Sequence, residues 1–152
     1  VFNLARQWIV PFVGDPETAF TFVHVRDVVA AIVAALERQL PRETCFVGHP
    51  VPVGARQLVD EVAAVLGVRP RYLQVPSALA GLAAHAGEWI GRLRGDVVPL
   101  NRSRFAEMTS PGFVCRVDRL RERLGVTAAI DLRPGLEETA EWYRREGWIP
   151  RG

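Results

Sequence analysis

The sequence predicts an α/β chain, and three observations carry that prediction. Between Phe20 and Leu36 the apolar pattern changes period. Phe20, Phe22 and His24 alternate with Thr21, Val23 and Val25; after them Val28, Ile32 and Leu36 recur every fourth residue beside Val29 and Val33. The first pattern is that of a strand and the second that of one wide apolar helix face, so the stretch reads as half of a strand–helix–strand unit. Short β-forming runs and helical stretches then alternate along the rest of the chain, punctuated by Gly and Pro. Finally, 49% of the 152 residues are hydrophobic, enough for one modest core and too few for a second full domain.

Each element has a local reason. Val1 to Ile9 reads as the end of a helix, and Val10 to Val13 as a short strand that Gly14, Asp15 and Pro16 turn. Asp27, short and anionic at the change of period, is the expected N-cap of the following helix, an interaction worth about 1 kcal/mol. Pro41 stops that helix. Thr44 to Val47 reads as a buried parallel strand bounded by Gly48 and Pro50. Ala55 to Leu66 is a helix with Leu58, Val62, Ala63 and Leu66 inward, closed by Gly67, while Asp60 and Glu61 face solvent. Arg71 to Val75 is a strand, and Ser77 caps a longer helix to about Arg94 in which Gly87, Gly91 and Gly95 allow close helix packing. Val98 to Met108 is a loop and short helix, and Phe113 to Arg116 a short strand. Asp118 caps a two-turn helix with Leu120 and Leu124 inward and Gly125 at its end. Pro134 opens a last helix that buries Leu136, Ala140 and Tyr143 and ends at Gly147.

Composition excludes several functions. A net charge of +2 with interspersed signs builds no field for nucleic acid or an anionic membrane. Ala78 to Leu93 is the most apolar stretch, but it is short and carries His85, Glu88 and Arg92, so no membrane span is expected. Cys45 and Cys115 make no disulfide framework, which points to a reduced, cytoplasmic protein. The chain opens on Val1 without the basic–apolar–small pattern of a leader, and the expectation is a fragment that begins mid-fold. Ser77, Ser103 and Ser110 sit in no Gly-x-Ser-x-Gly elbow. His24, Cys45 and His49 lack structural-zinc spacing, so no metal site is assigned and His24 reads as a core histidine. Arg116 to Arg123 alternates with acids and apolar residues, as a solvated amphipathic helix does.

Three blocks resemble one family. Phe22-Val-His-Val-Arg-Asp-Val-Val-Ala-Ala-Ile32 is similar to the Phe-Val-His-Val-x-Asp-Val-Val-x-Ala segment of extended short-chain dehydrogenases, the NAD-dependent epimerase/dehydratase superfamily. Phe113-x-Cys115-x-x-Asp118-Arg119-Leu120-Arg121-Glu122-x-Leu124-Gly125 resembles its Cys-Asp-x-Ser-Arg-Ala-Arg-x-x-Leu-Gly block. Gly135-Leu136-x-x-Thr139-x-x-Trp142-Tyr143 resembles its closing segment, and Val10 to Asp15 its Pro-Val-Tyr-Gly-Asp-Gly pocket segment. The resemblance implies the C-terminal part of a Rossmann-type doubly wound sheet plus a small mixed α/β substrate-binding cap. Residues 20–67 would complete the sheet, and residues 1–19 and 68–152 would form mainly the cap.

The family's two chemical devices are absent from this sequence. All 19 basic residues are Arg, so the Tyr-x-x-x-Lys pair cannot form; Pro76 and Gly147 stand four residues after Tyr72 and Tyr143. No Gly-x-Gly-x-x-Gly or Gly-x-x-Gly-x-x-Gly turn follows a strand. No catalytic or cofactor-binding residue is therefore assigned, and the resemblance implies that NAD or NADP, the Tyr and the Lys belong to a missing N-terminal half. Substrate-side candidates are Phe12, Phe20, Val53, Arg102 and Arg104. Nucleotide-sugar members carry Arg where this chain has Phe20, and Phe20-Thr-Phe-Val23 looks more like the 3β-hydroxysteroid dehydrogenase and dihydroflavonol reductase branches. That resemblance implies an apolar hydroxy or keto substrate, steroid-, isoprenoid- or flavonoid-like, because an aromatic ring cannot pair a phosphate. Arg102 and Arg104 keep a nucleotide-sugar epimerase or dehydratase open. A stand-alone, non-catalytic binding module is the third reading. A homodimer is expected by analogy.

Overall fold

The computed structural model describes residues 1–39, 43–94, 105–106 and 109–150, with residues 87–94 described by their backbone alone. The expectations for Arg102, Arg104 and Gly95 fall outside the described residues. The chain forms α1 (Phe2–Ala5), β1 (Ile9–Val13), β2 (Ala19–Phe20), α2 (Val25–Arg38), β3 (Val53–Gly54), α3 (Ala55–Leu66), β4 (Arg71–Val75), α4 (Ser77–Arg94), α5 (Asp118–Leu124) and α6 (Leu132–Arg145). The expected α/β class stands.

β1 pairs with β4 in parallel, Ile9 opposite Arg71 through Val13 opposite Val75. Pro11 is tolerated there because both strands of a two-stranded sheet are edges. α3 packs against α1 and α6. Together they bury Phe2, Val10, Val59, Val62 and Ala140, with Tyr72, Leu136 and Tyr143 partly buried around them. α3 has the bounds that periodicity predicts, and Gly67 closes it at φ 68° as a left-handed cap. Its first free N–H groups, those of Ala55 and Arg56, donate to the carbonyls of Thr18 and Pro16, both at 2.9 Å. A second, smaller cluster joins Ala31 of α2 to Leu120 and Leu124 of α5, with Gly125 closing α5 at φ 64°.

Four expectations are corrected. The strand expected over residues 20–25 pairs only at Ala19–Phe20, antiparallel to Val53–Gly54. Beyond Phe20 the extended backbone is held by single bonds, such as His49 N–H to the Phe22 carbonyl at 2.7 Å. Thr44 to Val47 forms no ladder in the described structure, and Phe46 is exposed, because extended backbone becomes a strand only beside a partner. Phe113 to Arg116 is likewise reduced to one parallel bridge between Phe113 and Phe20.

The second correction concerns helix starts. α2 begins at Val25 with His24 in the cap position, so Asp27 lies inside the first turn. α5 has Val117 as its cap residue and Asp118 as its first residue. α4 begins at Ser77, with Ala80 N–H donating to the Pro76 carbonyl at 3.1 Å. Each capping candidate thus sits one to three positions inside its helix. α2 ends at Gln39, which takes the left-handed conformation at φ 48° before Pro41 is reached.

The third correction is the largest. The wide apolar face of α2 is not buried: Ile32 is 54% and Leu36 73% exposed, and Val25, Val29 and Val33 stand in solvent beside them. The small Ala31 meets α5 instead. Finally, Asp60 and Glu61 are engaged rather than simply solvated: Asp60 accepts from the Tyr72 hydroxyl, and Glu61 pairs with Arg133 at 3.3 Å.

Candidate functional site

Beyond the β2 ladder the chain runs on without strand pairing to the start of α2. Phe20 and Phe22 have neighbouring rings, and Phe22, Val23 and His24 in succession reach a cavity of about 140 Å³. Val53, Leu58 and Ile130 give it apolar walls, and the first turns of α6 close it through Gly135 and Thr139. The β2–β3 pairing places Val53 directly opposite Phe20, so two of the predicted substrate residues are cross-strand neighbours. Phe12 lies elsewhere, partly buried on β1 and edge-on to Tyr72 with centroids 5.4 Å apart.

His24, His49 and Asp131 line the cavity, and two further carboxylates, Glu138 and Asp27, meet residues of its lining. The His24 side chain is only 9% exposed. Its Nδ1 accepts the Arg26 N–H at 3.4 Å, capping α2 where Asp27 was expected to act. Its Nε2 lies 4.0 Å from Glu138 on α6. Glu138 also accepts from Arg26 Nη1 at 3.2 Å. The same wiring recurs at His49: Nδ1 accepts the Val51 N–H at 3.2 Å and Nε2 faces Asp131 at 3.3 Å. Asp131 occupies the cap position of α6 without capping it, its carboxylate being turned to His49.

Asp27 is 8% exposed, and its Oδ2 accepts the Ile130 N–H at 3.1 Å. It therefore ties the start of α2 to the loop that floors the cavity. Gly135 lets α6 approach His24: a Cβ there would stand 3.1 Å from His24 Cδ2. The His24 side chain is thus largely enclosed, but at a helix cap and on a cavity wall rather than on the buried strand expected. His49, Asp131 and Gly135 were not recognised as neighbours because nothing in their spacing announces that residues 49 and 131 meet.

Among the described residues no three His, Cys, Asp or Glu side chains gather to hold a metal. The starts of α2, α4 and α6 do not fit a dinucleotide either. The cap of α2 is filled by His24, α4 and α6 begin on Pro76-Ser77 and Asp131-Leu132, and none follows a glycine-rich turn. The Tyr72 phenol is pushed up to about 12, first by burial and then by its hydrogen bond to Asp60 and that carboxylate's charge, with Arg56 opposing. A phenol shifted upward is the reverse of an activated acid–base tyrosine.

No family model matches the chain. It is 29% identical over 96 residues to the uncharacterized protein YbjS of Escherichia coli strain K12, a match covering 63% of this chain and 28% of that protein. The crystal structure of gox2253 superposes with a TM-score of 0.67 at 23% identity, covering 97% of this chain and 42% of the other. UDP-glucuronic acid 4-epimerase from Bacillus cereus, solved in complex with NAD, superposes at 0.62 and 13% identity, covering 97% of this chain and 39% of the epimerase. The chain therefore spans well under half the length of these relatives. At such identities the likeness establishes the fold: a mixed α/β unit with a small parallel sheet, matching part of Rossmann-like epimerase and dehydratase chains.

Proposed function

We propose that these residues are the substrate-binding portion of an NAD(P)-dependent enzyme of the extended short-chain dehydrogenase type, inactive without a preceding half of the same polypeptide. The observation that carries the proposal is the bare α2 face. Val25, Val29, Ile32, Val33 and Leu36 form one apolar stripe in water. Burying such side chains is worth about 1.5–3 kcal/mol each, so a helix with this pattern is built to be covered. The missing half would cover it and supply the cofactor site and the Tyr-x-x-x-Lys pair, for which this chain has no lysine. Under this reading, residues 20–67 complete the larger sheet, and residues 1–19 and 68–152 form mainly the cap. A homodimer and a cytoplasmic location belong to the same proposal. Cys45 and Cys115 are both free, and among the described residues no helix is long and apolar enough to cross a membrane.

Two substrate classes have support. The NAD-bound solved relative is named for a UDP-sugar, which favours a nucleotide-sugar epimerase or dehydratase. Phe20, set among aromatic and apolar side chains, favours an apolar hydroxy or keto compound. The coding sequence upstream of Val1 tests the class: a glycine-rich strand–turn–helix followed by Tyr-x-x-x-Lys is the expected finding. A reading frame that starts at Val1, with a monodisperse and cooperatively melting 152-residue product, would instead support a stand-alone binding module.

A further inference from the structure

Three phenyl rings meet beside β2. Phe20 and Phe22 stand with centroids 6.2 Å apart, and Phe113 brings a third ring to 6.2 Å from Phe20. The backbone holds Phe113 there on both sides. Thr21 N–H donates to the Phe113 carbonyl at 2.8 Å, and Phe113 N–H donates to the Ala19 carbonyl at 3.1 Å. Cys115 N–H donates to Thr21 Oγ1 at 2.9 Å. Gly112 makes the approach feasible, since its φ is 106° and a Cβ would collide with the Ala19 carbonyl oxygen. Yet the Phe113 residue so fixed is 58% exposed. A side chain carried on so fixed a backbone and left half in water adds little to the core, and its ring face is open to stacking.

We propose that Phe113 is a specificity-determining residue, completing with Phe20 and Phe22 an aromatic wall that takes the apolar ring system of a hydroxy or keto substrate. The inference rests on the reading above that residue 20 faces the substrate. Flat apolar rings stack on such a surface, whereas a diphosphate brought against it would shed water and gain no donor from any of the three rings. Phe22 also lines the cavity, so the wall and the cavity are continuous.

The test is a calorimetric titration of the full polypeptide, these residues together with the preceding half, with the four-ring ketone androst-4-ene-3,17-dione and, separately, with UDP-glucose. Wild type is compared with Phe113→Ala and Phe113→Tyr, each checked for an unchanged melting temperature. The expected result is saturable binding of the ketone, weakened about fivefold in Phe113→Ala and kept in Phe113→Tyr, which retains the ring. Should Phe113→Ala fail to fold, Phe113→Leu keeps bulk without a π face and is expected to weaken binding equally. Equal ketone affinity in wild type and the ring-less variant overturns the inference while leaving Phe20 as a substrate contact. Saturable UDP-glucose binding without ketone binding overturns the inference and the apolar reading together. Binding of neither compound overturns the substrate-binding assignment as well.

Discussion

Replacing Asp27 by Ala tests how the cavity floor is held. Asp27 is buried in the first turn of α2, and its Oδ2 accepts the Ile130 N–H at 3.1 Å. Truncation removes a hydrogen bond to a charged group, worth about 1.5–3 kcal/mol, and leaves the Ile130 N–H without its acceptor. It also removes a negative charge from the positive end of α2, about 0.3–1 kcal/mol more. The sum is roughly 2–4 kcal/mol, which for a chain of this size lowers Tm by about 4–16 °C. Asp27→Asn keeps an acceptor and loses the charge, so it is expected to cost about half as much. The assay is urea unfolding followed by far-UV circular dichroism, read as the shift in midpoint at constant m. Asp118→Ala serves as the internal control: that exposed carboxylate pairs only with Arg116, at 3.3 Å in the described structure, and is expected to cost under about 1 kcal/mol. If Asp27→Ala costs no more than Asp118→Ala, the tie between α2 and the Ile130 loop carries no stability and the reasoning fails.

Three further outcomes are expected. Gly112→Ala forces a side chain onto the Ala19 carbonyl at a left-handed φ and is expected to cost about 2–3 kcal/mol, seen as a lower urea midpoint. Tyr72 has its folded pKa raised from 10 to about 12, so its contribution is complete below about pH 10 and is lost as pH rises from 10 towards 12. Tyr72→Phe should therefore flatten the fall of stability over that interval in alkaline melts, and an unchanged slope would refute the assignment. Ile32→Ser with Leu36→Ser removes two exposed apolar side chains from α2, so thermal stability of the 152-residue chain should change by less than about 0.5 kcal/mol. Binding of an apolar dye to the same chain should fall, and an unchanged dye signal would show that the stripe is already covered.

Where a signal is local, the sequence alone settled the outcome. α3 from Ala55 to Leu66, its left-handed Gly67, β4 from Arg71 to Val75 and the Gly125 closure of α5 follow from periodicity and from the one residue that adopts positive φ without strain. The nearness of the Phe20 and Phe22 rings was also legible, because residues two apart in extended backbone share a side. Whether that backbone becomes a strand depends on a partner, which is why Phe22 to Val25 and Thr44 to Val47 remain outside any ladder in the described structure. The bond from Asp27 to Ile130, the turning of Asp131 towards His49 and the meeting of Phe113 with Phe20 join residues far apart in the chain. Apolar periodicity says that a helix face is to be buried and never against what. For α2 only the tertiary structure decided the matter: its small Ala31 meets α5, and its large side chains are left to water.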